Sequence, residues 1–174
     1  MLPLFQWIQS VGFLAAIRES ALVYPVIMTT HLACIAVFGG MILMTDMRLL
    51  GLALKRYTVS EVVGALRVPK RVGGVIMVTM GLLLGMSEAE KYYHNPFFWC
   101  KMTCLALVAV HALVFRPTVY NSTAEIDRAA MIPTRAKAAA LLSLVIWTGI
   151  LTFGRLIGYY EGDKSKGAPV AMVR

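Results

Sequence analysis

Residues Ala21–Thr45 read ALVYPVIMTTHLACIAVFGGMILMT, with no Asp, Glu, Lys or Arg among them. About 20 apolar helical residues cross the ~30 Å hydrocarbon core of a bilayer, so this stretch is long enough to span one. Extended to Leu49, it becomes the first of four such runs. The others are Val72–Ala89, Pro96–Phe115 and Ala138–Tyr159. Four apolar spans joined by short polar loops predict an all-α membrane protein, an up-down bundle of four transmembrane helices.

Composition supports this outward from the spans. The chain is 59% hydrophobic with mean hydropathy +0.71, above the ~45–50% apolar content of soluble domains. Net charge is +8, but the basic residues gather in the loops. Membrane topology explains them, and no nucleic-acid partner is expected. Leu2–Ile17 is shorter and carries Gln6, Gln9 and Ser10 among its apolar residues. It is read as an interfacial amphipathic helix, giving a segment 1–18 ahead of a transmembrane domain 19–160. It has no basic n-region and no clear cleavage site, and is expected to be retained. Residues 161–174 are polar and are read as a flexible tail. Three cysteines, Cys34, Cys100 and Cys104, show no disulfide framework.

The loop charges predict orientation. The first and third loops hold ten Lys and Arg residues, against seven on the opposite face. The positive-inside rule then puts both basic loops in the cytoplasm and both termini in the periplasm of a bacterial inner membrane. Tyr92, Tyr93, Phe97, Phe98 and Trp99, with Tyr159 and Tyr160, read as an interfacial aromatic belt.

Two imidazoles lie within spans, His31 in the first and His111 in the third. An ionisable side chain at such depth is a candidate functional group. Spans one and three run in the same direction, so two neutral imidazoles are expected to share one ligand across the bundle. Haem b with His31 and His111 as axial ligands is the leading expectation, with Arg155 and Lys101 neutralising the propionates. Each histidine has a second reading, a hydrogen bond to a neighbouring helix; Thr29 and Thr30 adjoin His31. His94, in Tyr92-Tyr93-His94-Asn95-Pro96, reads as a solvated interfacial residue.

Sulfur gives a competing site. Met41, Met44 and Met47 repeat on one helix, Met77 and Met80 on the next, and Cys100, Met102 and Cys104 open span three. Soft ligands of this type suit Cu(I), although methionine at helical spacing is also packing material. Asp46 and Arg48, at the end of span one, read as an interfacial charge pair. No hydrolase constellation, phosphate loop or HExxH motif is present.

His31-Leu32 followed by Gly39-Gly40, then Asp46-Met47-Arg48-Leu49-Leu50-Gly51, resembles a family of small bacterial four-helix membrane proteins of unknown function. Tyr93-His94-Asn95-Pro96-Phe97-Phe98-Trp99-Cys100-Lys101 followed by His111 is similar to that family's second block. The resemblance covers most of Ala21–Tyr160. It implies that the His31 position is the steadier one and that Asn can replace His111. The layout is also similar to membrane b-type cytochromes, without the four histidines of a two-haem form. The expected function is a haem b electron-transfer subunit between the quinone pool and a periplasmic redox partner. The alternatives are a non-redox structural or assembly subunit, and a copper-handling protein.

Overall fold

The computed structural model describes residues 2–160; the expected tail 161–174 lies outside the described residues. Every regular element is helical: α1 (Leu2–Ser10), α2 (Gly12–Glu19), α3 (Val23–Leu50), α4 (Val59–Ser87), α5 (Ala89–Tyr93), α6 (Pro96–Phe115), a π-helical turn (Arg116–Tyr120), α7 (Thr123–Arg128) and α8 (Thr134–Ile157). α3, α4, α8 and the stretch Pro96–Tyr120 are long and apolar enough to cross a membrane.

The helix ends follow from local chemistry. Pro25 sits in the first turn of α3, where its missing N–H costs nothing. Gly51, at φ 74°, closes α3 in the left-handed conformation that glycine adopts without strain. Thr58 and Glu61 form a reciprocal capping box at the start of α4. That cap starts α4 thirteen residues before Val72, so Arg67, Lys70 and Arg71 belong to the helix rather than to a loop. Pro69 is accommodated inside it. Asn95 caps α6, whose first residue is Pro96.

Among the long helices, α3 packs on α4, α6 on α8, and α3 on α8. α4 and α6 make little direct contact, so the long helices pack in the order α4, α3, α8, α6. Glycines allow the close approaches: Phe38 lies against Gly74 and Gly73, and Cys104 Sγ is 3.1 Å from where a Cβ on Gly149 would stand. The central layer sets Ile146, Trp147 and Ile150 of α8 against Phe38, Ile42, Met77, Cys104, Leu105 and Val108. A second cluster holds Leu49, Val59, Val63, Val119, Ile126, Ala136, Ala139 and Ala140.

The two ends of the bundle differ. At one, α1 and α2 lie across α5 and the end of α4. Gln6 donates to Glu90, Gln9 accepts from the Glu90 N–H, Arg18 reaches the Ser87 carbonyl, and Phe5 meets Tyr93 and Trp99. At the other, α7 folds under the bundle. Asp127 Oδ1 and Oδ2 accept from the backbone N–H groups of Val59 and Ser60 at 2.7 and 3.0 Å, capping α4 from a distant segment. Burial pushes the Asp127 carboxyl up. The Ser60 and Val59 hydrogen bonds and the Arg48 charge outweigh it and hold the group below the usual carboxylate range.

A carboxyl lowered by folding stabilises the fold above its unfolded pKa, and that stability is lost as pH falls through the folded value. Asp127→Ala is expected to cost about 0.5–2 kcal/mol, the usual cost of a lost cap. Thermal unfolding in detergent checks this: the gap between wild type and variant should be full at neutral pH and close on acidification below the ordinary carboxylate range.

Candidate functional site

His31 points from α3 into α4. Its Nδ1 is 3.0 Å from the Met77 carbonyl. A carbonyl only accepts, so Nδ1 carries the proton and Nε2 keeps its lone pair. The ring reaches that carbonyl because Gly81, one turn further along α4, has no side chain. A Cβ there would stand 2.8 Å from His31 Cε1.

Lys101 lies at the same level. Phe38 of α3 packs on Trp147 of α8, ring centroids 5.4 Å apart. Seven residues from Phe38 toward the α1/α5 end is His31, and seven along antiparallel α8 is Gly154. Lys101 Cε and Nζ are 3.8 Å from where a Cβ on Gly154 would stand. The Lys101 ammonium is close enough to act electrostatically on the His31 ring. The ion pairs among the described residues, Arg18–Glu19 and Lys91–Glu88, do not involve it. His31 and Lys101 thus form a base and a cation on diagonal helices, in the half of the bundle nearer α1 and α5.

His111 is elsewhere. It is 9% exposed, and its Nε2 donates to the Ala139 carbonyl of α8 at 2.9 Å. Ala139 is eight residues before Trp147 on α8, which puts it level with Asp46, eight residues after Phe38 on α3. Asp46 is fifteen residues along α3 from His31, about 22 Å of helix. Two nitrogens on one metal stand about 4 Å apart, from bonds of about 2 Å. The expected pairing of His31 with His111 on one ligand is therefore not formed. The cause is helix register: depth counted from the helix starts left them nearly level, whereas the packing of α8 on α3 and α6 sets them in opposite halves.

Arg155 is exposed and occupied by Tyr159, donating to its hydroxyl at 2.6 Å and stacking 4.7 Å above its ring. His94 is exposed, against Tyr93. Cys100 is exposed, while Cys104 turns to Gly149 on α8. Among the described residues, no three His, Cys, Asp or Glu side chains come together as a metal-binding group.

The half of the bundle nearer α7 holds a polar group whose burial the sequence reading missed. Asp46 is 1% exposed, and its Oδ2 has no hydrogen-bond partner. Arg48 does not pair with it; the Arg48 Nε donates to the Tyr57 carbonyl at 2.7 Å. The expected interfacial charge pair is thus corrected, because a 100° step per residue sends positions 46 and 48 to different sides of α3. Lys70 of α4 donates to Thr45 Oγ1 at 2.6 Å, and Thr45 donates to the Met41 carbonyl at 3.0 Å. Ser143 faces Asp46 from α8, and Tyr120 stands within reach of its charge. The signal available in the sequence was the pair Asp46 and Lys70, each an acid or base at the edge of an apolar run.

The fold and its four spans make this chain a small helical membrane protein, and it belongs to a family shown by its sequence. That family is DUF6644, a family of unknown function whose model matches residues 4–160. No curated protein and no solved structure matches the chain.

Gly81→Ala tests the His31 contact. In an ordinary helix interior this change stabilises by up to ~1 kcal/mol. Here the added methyl meets His31, and overpacking of this type costs about 1–3 kcal/mol. Gly81→Ala is expected to lower the thermal midpoint, and to lower it much less in a His31→Ala background.

Proposed function

We propose that the protein is a haem b electron-transfer subunit of a bacterial inner membrane, with His31 as its haem ligand. The α1/α5 end would face the periplasm and a redox partner there, and the quinone pool would supply or accept electrons. The observation that carries this reading is the tautomer of His31. Its Nδ1–H is spent on the Met77 carbonyl, which orients the ring and leaves Nε2 as a donor, the arrangement found in metal-ligating histidines.

Three further features support the reading. Lys101, at the same depth, supplies a cation for a propionate. The loosely packed side between α4 and α6 is where a flat macrocycle would have to enter. Gly81 and Gly154 let His31 and Lys101 pack close to the backbones of α4 and α8. A bound haem would supply one-electron chemistry; the chain would hold the ring, set its axial nitrogen and shield it from water. His111 has no part in this site and joins α6 to α8.

A second reading is favoured by one observation: both imidazoles hydrogen-bond to backbone carbonyls. The chain would then be a structural or assembly subunit whose histidines join helices.

The test is a reduced-minus-oxidised spectrum of protein purified from haem-replete cells, with haem quantified chemically. About one b-type haem per chain is expected, with the iron held by a single protein histidine. His31→Ala should lose it, His111→Ala should keep it, and Lys101→Met should weaken its retention. A colourless wild type that co-purifies with a partner would decide for the structural subunit. Haem lost equally from the His31 and His111 variants would refute the site.

A further inference from the structure

Asp46 presents an unusual local balance. It is buried in a membrane-spanning helix, where an unpaired charge costs several kcal/mol or more. A basic side chain is nearby on α4, yet no ion pair forms. Lys70 donates instead to Thr45, the residue before Asp46. Asp46 Oδ2 is left without any partner. A neutral carboxylic acid accounts for this arrangement and a carboxylate does not, because a carboxylate would draw the ammonium from the neutral hydroxyl beside it.

The other groups around Asp46 add no charge. On its own helix, Arg48 is turned away to the Tyr57 carbonyl. α8 offers Ser143, the π-helical turn offers Tyr120, and behind Tyr120 lies His111 of α6, ring centroids 6.3 Å apart. Of the acids on α7, Glu125 is exposed and Asp127 is spent on the start of α4. Arg67 and Arg71 of α4 are exposed. Lys70 is thus the one charged group poised to respond to Asp46. The ligand that fits is a proton. A metal cation would have to share the space with the Lys70 ammonium, which already holds Thr45 Oγ1.

We infer that Asp46 is a proton-binding site, loaded and emptied from the α7 end, and that Lys70 is its alternate partner. Asp46 is four residues from the end of α3, about 6 Å of helix, so water at that end is the proton's source and sink. On release, the O–H bond at Asp46 breaks, the proton leaves to water, and a carboxylate remains. Lys70 Nζ then turns from Thr45 Oγ1 to the Asp46 carboxylate. Reloading reverses both movements. Lys70 keeps its charge throughout, so the site gains one positive charge for each proton bound.

Infrared difference spectroscopy on the full chain in lipid nanodiscs tests this without reference to haem. A C=O band of a protonated carboxylic acid is expected at neutral pH, shifted down in D2O and lost as pH rises. Asp46→Asn should remove it. Lys70→Met should move its midpoint to higher pH by about one unit, a tenfold gain in proton affinity, because the carboxylate loses its partner. If Asp46→Asn does not fold, Asp46→Glu, which should shift the band without removing it, assigns the signal. A wild type with no such band at any pH, a band indifferent to changes at Asp46, or a midpoint unmoved in Lys70→Met would each overturn the inference.

Discussion

In a bilayer, a polar group inside the span has no water to bond with, and each unsatisfied one costs several kcal/mol. That constraint explains most interior contacts of this bundle. His31 takes the Met77 carbonyl, His111 takes the Ala139 carbonyl, Lys70 takes Thr45, and Thr45 takes the Met41 carbonyl. Three of these bonds or their extensions tie one helix to another: α3 to α4 twice, and α6 to α8 once. They do the joining that apolar side chains cannot, since lipid tails are as apolar as leucine and offer no hydrophobic drive between helices. Small residues then let the backbones close up, as at Gly73 and Gly74 beneath Phe38, and along Ala136, Ala139, Ala140 and Ser143 of α8.

The same constraint makes exceptions informative. Asp46 Oδ2 is buried without a partner, and Lys101 has no carboxylate within ion-pair distance among the described residues. They lie in opposite halves of the bundle, separated by the Phe38–Trp147 layer. One half sets a cation at the level of an imidazole, and the other sets a buried acid near an ammonium.

Much of the fold was legible because transmembrane helices announce themselves by length and apolarity alone. The third span, Pro96–Phe115, coincides with α6, since Asn95-Pro96 is a local start signal. The second was misjudged at its start. Arg67, Lys70 and Arg71 look like loop residues to a hydropathy reading, while the capping box of Thr58 and Glu61 begins the helix well before them. The site was half legible. The depth of His31 could be read from the apolar run around it, and Lys101 was read near the outer end of span three. That they share a level, and that His111 does not, depends on interhelical register, which no span-by-span reading contains. Asp46 was misread for a related reason: an acid near a span end looks interfacial until α8 packs over it through Ser143 and its alanines.

The separation of the two halves limits what they can do together. His31 and Asp46 are fifteen residues apart on α3, about 22 Å of helix. The apolar layer between them holds no hydrogen-bonded chain among the side chains described, so a proton on Asp46 has no direct route to a group bound at His31. Coupling between them would be electrostatic. Two unit charges about 22 Å apart, at an effective dielectric near 20, interact by about 0.8 kcal/mol. That is roughly half a pK unit, enough to bias proton occupancy at Asp46 and too little to make it all-or-none. A one-electron change at the His31 level would tilt the Asp46–Lys70 pair rather than drive it. A strong coupling would require the helices themselves to shift, and the loosely packed side between α4 and α6 is where this bundle has few contacts to resist such a movement.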